Sequence, residues 1–279
     1  PNIDAVRLKE RDDISVTTDG YSMINPVALI EFNAKEGPFA NPAVRRAISL
    51  AIDRQFMIDN IFFGYGKPAT SALSTNFKPT GLYASMPNYP ARGDIASAKA
   101  LLDSAGIKPD ANGVRIRAIL DLIPYGEDWR RAGEYLKQVL GDIGIKLELR
   151  YEDVPTWLKR IYHNYEFVMN VNYFYQLPDP VLGVHRHYGT DQIRKGTHFV
   201  NSSRYSNSEL DELLASGATE ANAQKRTQIY KKIQEILARD MPVVNLFELQ
   251  FLTVYNTKLK GAYNSALGAY ASFSEAYLD

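Results

Sequence analysis

Residues 39–69, FANPAVRRAISLAIDRQFMIDNIFFGYGKPA, carry a hydrophobic pattern with helical spacing. Asn41 is a favourable N-cap residue, and Pro42 suits the first position of a helix. Spacing of three and four residues predicts a buried stripe formed by Val44, Ala47, Ile48, Ala51, Ile52 and Ile58. We predict one helix that ends at Gly64 and Gly66, because glycine adopts backbone angles that other residues resist.

The charged residues of this segment lie largely off the stripe; they are Arg45, Arg46, Asp53 and Arg54. The segment contains no nucleophile, no cluster of metal ligands and no phosphate-binding loop. Gly64 and Gly66 also lack the third glycine and the flanking strand of a dinucleotide-binding fingerprint. The pattern therefore indicates a structural role.

Other segments alternate between strand and helix patterns along the chain. Strand patterns occupy residues 27–33, 114–122, 145–152, 165–174 and 243–256. Helix patterns occupy residues 95–105, 127–144, 156–164, 207–216 and 222–240. This order predicts an α/β fold in which helices cover a sheet, and it predicts that Ile48, Ile52, Leu136 and Leu140 are buried.

Composition excludes several classes of function. The chain has 279 residues with 32 basic and 32 acidic side chains, so its formal net charge is zero. This balance argues against nucleic-acid binding through bulk positive charge, and we predict no nucleic-acid partner. The absence of cysteine excludes disulfides and thiolate metal sites. No apolar run reaches the roughly 18 residues that cross a bilayer, and the charged first residues indicate a cytoplasmic protein or a mature or trimmed chain.

His185 and His187 form an H-x-H pair, which supplies two metal ligands if a third lies close in space. No third ligand has a recognisable spacing to them, and we interpret the pair as loop or surface histidines. Serine-hydrolase motifs are absent from the sequence. We predict no cofactor and no metal.

The sequence LPDP places Asp179 between Pro178 and Pro180. Proline restrains its own backbone and that of the preceding residue, so these four residues predict a rigid loop after a strand. Two interpretations remain open. The loop is either a structural turn or the wall of a pocket, because ligand sites of α/β proteins lie outside the carboxyl ends of strands.

Four stretches, in order along the chain, match the pattern of one known family. Residues 32–71 contain Phe-Asn, Pro-Phe, Val-Arg-x-Ala, Ala-Ile-Asp-Arg and a glycine-rich exit, and residues 94–107, 135–149 and 201–217 match three further patterns. Over nearly its whole length the chain resembles the family 5 extracellular solute-binding proteins of ABC importers. This family includes the periplasmic dipeptide- and oligopeptide-binding proteins.

The resemblance implies an α/β lobe of the periplasmic-binding-protein-like class II type. It implies that residues 31–243 form a second ligand-binding lobe, that residues 1–30 are a partial segment of a first lobe, and that residues 244–279 return to that lobe. Because family members are substantially longer, we expect the C-terminal portion of a longer protein. We expect a non-enzymatic protein, periplasmic or lipid-anchored outside the cytoplasmic membrane, that delivers a small-molecule solute to a membrane permease.

The ligand expectation comes from two positions at which this sequence departs from the family. In peptide-binding members, an acidic residue three positions before an acidic-Pro step pairs with the ligand's amino group, and here that position is Gln176. In some members an arginine holds the carboxylate of a dipeptide. The corresponding position in this chain is near Ile123, so that charge is missing, although Arg130 and Arg131 are nearby. Both departures weigh against an ordinary peptide and favour a sugar, an opine-like conjugate or another polar metabolite.

We therefore predict ligand contacts from Tyr173, Phe174, Tyr175 and Gln176, with Asp179 holding the shape of the loop. Alternation along a strand places the two tyrosines on one face and Phe174 and Gln176 on the other. The buried end of a strand is the alternative interpretation of this run. Two other functions also stay open: an α/β hydrolytic enzyme that uses Asp179 or a histidine, and a signalling or interaction module built on the binding fold.

Overall fold

A computed structural model describes residues 2–263 and 265–279. The strands are β1 Ile14–Thr17, β2 Pro26–Phe32, β3 Gly66–Pro68, β4 Ile116–Leu122, β5 Ile145–Arg150, β6 Met169–Tyr175, β7 Val243–Leu249, β8 Thr253–Asn256, β9 Leu259–Lys260 and β10 Tyr277–Leu278. The helices are α1 Asn2–Leu8, α2 Pro42–Ala51, α3 Arg54–Asn60, α4 Ile95–Ser104, α5 Glu127–Gly141, α6 Val154–Leu158, α7 Pro180–Gly183, α8 His185–Tyr188, α9 Ser208–Thr219 and α10 Ala223–Asp240. The predicted α/β fold is confirmed.

Six strands form one mixed sheet in the order β3-β7-β2-β6-β4-β5. Strands β4, β5 and β6 run parallel to one another, and β2 runs antiparallel to both of its neighbours, β6 and β7. Helix α2 packs on β7 and α4, and α5 packs on β4 and β5. Ile48, Ile52, Leu136 and Leu140 are fully buried at these contacts, as predicted.

The helix predicted from Pro42 to Gly64 is in fact two helices, so the single-helix prediction is wrong. Asn41 caps α2, as expected, by accepting a hydrogen bond from the Ala43 N–H. The chain becomes extended at Ile52, and the Asp53 carboxylate caps α3 by accepting from the Phe56 N–H at 2.7 Å. A second cap inside the periodic segment therefore breaks the helix while Ile52 stays buried.

The strand predicted over residues 243–256 is also two strands. Strand β7 ends at Leu249, and β8 starts at Thr253 in a separate two-stranded ribbon with β1. The apolar run does not show this break because residues on both sides of it are hydrophobic. Among the described residues, no helix is long and apolar enough to span a membrane.

Two arginines of the opening segment point inward. Arg45 donates to the carbonyl oxygens of Phe39, Ala40, Asp240 and Met241, the last two at the end of α10. It is 3% exposed, and burial lowers its pKa to about 10. A buried cation is tolerated here because hydrogen bonds satisfy its N–H groups.

Arg54 is fully buried and has no carboxylate partner among the described residues. Its guanidinium donates to the carbonyl oxygens of Ser49, Pro90 and Asn245 and to the Ser49 hydroxyl, at 2.8–3.1 Å. The guanidinium carbon also lies 5.5 Å from the centre of the Tyr89 ring. One side chain thus connects α2, α3, the loop before α4 and β7.

Strand β2 carries one buried carboxylate in its otherwise apolar sequence. Glu31 is 2% exposed and accepts hydrogen bonds from the Ser202 hydroxyl at 2.5 Å and from the amides of Asn170 at 2.7 Å and Asn172 at 3.1 Å. Burial outweighs these bonds and raises the pKa of Glu31 to about 7.

We expect Arg54→Lys to lower the free energy of unfolding by about 2–4 kcal/mol, because one ammonium cannot reach the acceptors that the planar guanidinium joins. Urea denaturation followed by circular dichroism measures the change. The matched control is Arg92→Lys. Arg92 is exposed, and its Nη1 atom makes only a long contact, of 3.4 Å, with the Asp53 carboxylate. A free energy of unfolding within error of wild type for Arg54→Lys would show that the buried network is dispensable.

We expect the stability of wild-type protein to fall as pH rises from about 4.5 to about 7, because the folded state holds a proton on Glu31 that the unfolded state has released. Glutamine at position 31 keeps the same hydrogen-bonding geometry, since its oxygen can accept from both asparagines and its amide can donate to Ser202. In Glu31→Gln, the fall in the free energy of unfolding between pH about 4.5 and about 7 should therefore be smaller by about 1–3 kcal/mol. Urea denaturation below and above this pH range measures the difference. Exposed Glu212 provides the control variant, Glu212→Gln. An unchanged slope in Glu31→Gln would contradict the prediction.

Candidate functional site

The candidate site lies at the edge of the sheet where parallel strands end. Strands β4, β5 and β6 end at this edge, and β7 ends there too because β2 runs antiparallel to both β6 and β7. The residues that follow these strands are brought together although they are far apart in sequence. Ligand sites in α/β sheets form at such an edge.

Seven aromatic side chains meet at this edge, and we name them the aromatic cluster: Tyr21, Tyr125, Trp129, Tyr173, Tyr175, Phe251 and Tyr270. Tyr173 is central. Its ring centre lies 5.6 Å from that of Trp129, with the planes 19° apart, and 5.8–6.0 Å from those of Tyr125, Tyr175 and Phe251. Rings from β6, from the loop after β4 and from the loop after β7 therefore form one continuous surface.

Strand alternation places the predicted residues as expected. Tyr173 and Tyr175 are partly exposed and share one face of β6. Phe174 and Gln176 are 2% and 4% exposed on the other face. Burial raises the pKa of Tyr173 and of Tyr175, so both hydroxyl groups stay protonated and can donate hydrogen bonds at neutral pH.

Two cavities share Tyr125 and Tyr173 as common walls. The larger, of about 690 Å³, extends over Trp129 towards Phe251 and Tyr270. The smaller, of about 230 Å³, is bordered by Phe174, Tyr175, Arg186 and Phe199 together with the two shared tyrosines. Tyr173 thus forms a wall shared by two adjacent cavities of different size.

Two carboxylate residues, Asp4 and Asp128, line the larger cavity. Asp128, in the first turn of α5, is 9% exposed. One of its oxygens accepts from the Asn2 backbone N–H at 3.1 Å, and the other has no hydrogen-bond partner among the described residues. Periodicity placed this residue in a helix but gave no indication of the cavity.

The Gln176 amide has partners within the protein. Its oxygen accepts from the Ser74 N–H at 2.9 Å, and its nitrogen donates to the Ala72 carbonyl at 2.7 Å. Gln176 lines none of the cavities described here. Its ligand contact stays a prediction, while its observed bonds fix the end of β6 against residues 72–74.

The loop after β6 is tightly restrained. Leu177 adopts a left-handed conformation with φ 58°, and the Asp179 side chain caps α7 by accepting from the Val181 N–H. Both Asp179 oxygens also accept from Arg226 of α10, each at 2.9 Å. A Cβ atom on Gly183 would lie 2.1 Å from the Gln176 carbonyl oxygen, so only glycine permits this close approach.

Arg186 is the functional candidate that the sequence did not reveal. It lies in α8, donates to the Tyr175 carbonyl at 2.8 Å and borders the smaller cavity. Its guanidinium carbon is 5.9 Å from the centre of the Phe174 ring. No sequence pattern marks it, because its position depends on contacts between α8 and the end of β6.

The interpretation of His185 and His187 as loop or surface histidines is wrong, since both lie in α8. His185 contacts the Tyr230 hydroxyl at 3.0 Å, and burial lowers its pKa to about 4. His187 is buried against the Phe174 ring, and burial lowers its pKa as well. Among the described residues, no group of three histidine, cysteine or carboxylate side chains is arranged to hold a metal ion.

The arginines near Ile123 do not border the cavities around Tyr173. Ile123 is buried beside a separate cavity of about 430 Å³. Arg130 also lines this cavity and stacks 4.5 Å from the centre of the Tyr151 ring. Arg131 is exposed and lies 3.7 Å from Glu127. Neither charge replaces the arginine expected from the family at Ile123.

The mixed sheet flanked by helices is the fold of the periplasmic-binding-protein-like class, to which the structural neighbours of this chain belong. The family described as bacterial extracellular solute-binding proteins, family 5 Middle, matches residues 2–194. The chain belongs to this family, whose members are solute-binding proteins.

Individual relatives agree with this assignment. Glutathione-binding protein GsiB of Salmonella paratyphi A is 26% identical over 236 residues, which cover 83% of this chain and 44% of that protein. Di/tripeptide-binding protein 1 of Pseudomonas aeruginosa is 26% identical over 214 residues, covering 77% of this chain and 38% of that protein. The chain therefore spans less than half the length of these curated relatives.

A solved structure shows the same fold. The putative peptide binding protein AppA from Clostridium difficile superposes with a TM-score of 0.81 and 25% sequence identity, covering 100% of this chain and 55% of that chain. The similarity thus extends beyond residue 194, through α9 and α10 to the two-stranded ribbons.

We expect Gly183→Ala to lower the free energy of unfolding by about 2–4 kcal/mol, because the new methyl group forces the loop away from Gln176. Denaturation with urea measures this loss. Gly141→Ala is the control, since a Cβ atom there meets no heavy atom within 4 Å. If both variants were as stable as wild type, the loop would be looser than the structure indicates.

Proposed function

We propose that this chain is part of the solute-binding component of an ABC importer, and that it binds a small polar solute at the aromatic cluster for delivery to a membrane permease. The proposal rests on the position of the aromatic cluster. Partly exposed rings line two joined cavities at the carboxyl edge of the sheet. Such walls suit a solute with apolar or planar faces, while the tyrosine hydroxyls provide hydrogen bonds.

The named relatives support a binding role but differ in ligand. One is named for glutathione and another for dipeptides and tripeptides. We propose a small polar solute and favour a sugar or an opine-like conjugate over an ordinary peptide. In this proposal Tyr173, Phe174 and Tyr175 contact the solute. Gln176, whose ligand contact stays a prediction, and Asp179 also support that surface through their bonds within the protein.

The proposed division of the chain assigns residues 31–243 to a ligand-binding lobe and both end segments to another lobe. Strands β2 and β7 cross these boundaries, so the sheet itself extends from residue 26 to residue 249. Large exposed hydrophobic side chains support the assignment of the ends; they include Val254, Phe273, Tyr277 and Leu278. These apolar surfaces would be covered by the remainder of a longer protein.

We also propose that the protein acts outside the cytoplasmic membrane, in the periplasm or held by a lipid anchor, and that it catalyses no reaction. The role of the known family members in solute binding supports both statements. Saturable turnover of any substrate that Asp179→Asn abolishes would contradict the non-enzymatic role.

The test begins with full-length protein, from which bound small molecules are released by denaturation and identified by mass spectrometry. Calorimetry with the identified solute then compares variants. We expect Tyr173→Ala to weaken binding by about 1–3 kcal/mol, because it removes the central ring of the cluster.

Two further variants separate binding from folding. Tyr83→Ala is the matched control, because Tyr83 bonds to Thr70 away from the cluster. Gln176→Ala should lower the free energy of unfolding by about 1–3 kcal/mol, since it removes the bonds to Ser74 and Ala72. Unchanged affinity in a folded Tyr173→Ala protein would show that the solute binds elsewhere.

A further inference from the structure

Arg186 is half-buried and uses less of its hydrogen-bonding capacity than the two buried arginines, Arg45 and Arg54. Arg45 and Arg54 each make four hydrogen bonds to protein oxygen atoms. Arg150 and Arg226 each pair with a carboxylate, Asp121 and Asp179 respectively. These four cations are satisfied by the protein itself.

Arg186 has a single hydrogen bond within the described part of the chain, from Nη2 to the Tyr175 carbonyl oxygen. Its Nε atom is buried and has no partner there. No described carboxylate lies within ion-pair distance of its guanidinium. A guanidinium has five N–H donors, so most of its capacity is unused.

The surroundings of Arg186 make this incomplete pairing significant. The other walls of the smaller cavity are tyrosine and phenylalanine side chains, which carry no charge at neutral pH. Burial lowers the pKa of Arg186, yet a guanidinium remains protonated under physiological conditions. A cation that the described residues leave uncompensated, in a confined and largely aromatic space, favours an anionic partner.

We propose that Arg186 forms an anion-binding subsite in the smaller cavity, and that the solute of the proposed transport function carries a carboxylate held by this guanidinium. The planar donor fork of arginine matches the two oxygens of a carboxylate. Tyr173 and Tyr175 border the same cavity. This inference rests on the proposed function and narrows its solute to an acidic compound.

The sizes of the two cavities indicate how such a solute is placed. A space of about 230 Å³ accommodates a small acidic group but is below the usual volume of a complete ligand pocket. The adjoining space of about 690 Å³ begins at the same two tyrosines. The acidic end of the solute therefore enters the smaller cavity, and the rest extends across Tyr173 into the larger one.

A neutral sugar fits this arrangement less well. Its hydroxyl groups can accept hydrogen bonds from a guanidinium, but they leave the positive charge unneutralised after water has been displaced. An opine-like conjugate with a free carboxylate satisfies both the charge and the aromatic walls. Of the two proposed solute classes, the structure therefore favours an acidic opine-like conjugate over a neutral sugar.

The experiment uses full-length protein labelled with ¹⁵N-arginine, and follows the Arg186 Nε–H resonance, assigned by its absence in Arg186→Gln. Sodium acetate is titrated at constant ionic strength against sodium chloride, with acetamide as the uncharged analogue and inorganic phosphate as the alternative anion. We expect a saturable shift with acetate and no comparable shift with chloride or acetamide. An Arg186 signal that responds equally to acetate and chloride overturns the proposal, and a response to phosphate without one to acetate overturns the carboxylate assignment.

A second measurement does not depend on that resonance. Acetate should raise the melting temperature of wild-type protein relative to chloride, and Arg186→Gln should reduce the apparent affinity for acetate at least tenfold. Arg186→Lys keeps the charge without the planar fork and should give an intermediate value. Arg130→Gln, at a different cavity, should respond as wild type does. Equal acetate responses in wild type and a folded Arg186→Gln protein would overturn the subsite.

The outcomes separate this inference from the function on which it rests. An intact acetate response with no solute retained or transported by full-length protein would overturn the transport role and leave the subsite. A tightly bound, co-purified neutral solute with no acetate response would support the transport role and overturn the subsite.

Discussion

The buried guanidinium of Arg54 is the constraint on which the arrangement of this fold depends. A cation without a carboxylate partner in the interior is stable only if oxygen atoms surround it, and those atoms come from three separate parts of the chain, at Ser49, Pro90 and Asn245. The break between α2 and α3 supplies one of them. In a continuous helix the Ser49 carbonyl would accept from the N–H of residue 53, but here that N–H bonds to the Tyr135 hydroxyl. The Ser49 carbonyl is therefore available to Arg54.

The same network continues to the candidate site. The Asn245 carbonyl accepts from Arg54, while the Asn245 side-chain amide donates to the carbonyl groups of Ser71 and Ala72. The Ala72 carbonyl in turn accepts from Gln176 at the end of β6. A continuous series of buried hydrogen bonds thus connects the segment at residues 39–69 with the strand that carries Tyr173 and Tyr175. Aromatic side chains held on so restrained a strand lose little additional freedom when a solute packs against them.

Local patterns were sufficient to predict the α/β class, the cap at Asn41 and the buried positions Ile48 and Leu136. Each of these depends on residues close in sequence or on a simple period. The inward direction of Arg45 and Arg54 was not predictable in this way, because their acceptors are carbonyl groups up to 196 residues distant. At the site, alternation gave the faces of β6 correctly. It could not identify Arg186 or Asp128, since each borders a cavity formed only when several loops meet.

The amide at position 176 also changes what the sequence implies about the solute. Its oxygen needs a donor, the Ser74 N–H, and its nitrogen needs an acceptor, the Ala72 carbonyl. A carboxylate in the same place would keep the first bond but turn a lone pair towards the second oxygen, which costs free energy in a buried setting. Glutamine therefore suits the protein's own hydrogen bonding, and its neutrality alone says little about the charge of the solute. The informative charge is that of Arg186, because its Nε atom is buried beside the aromatic cluster and the described residues leave it without an anion.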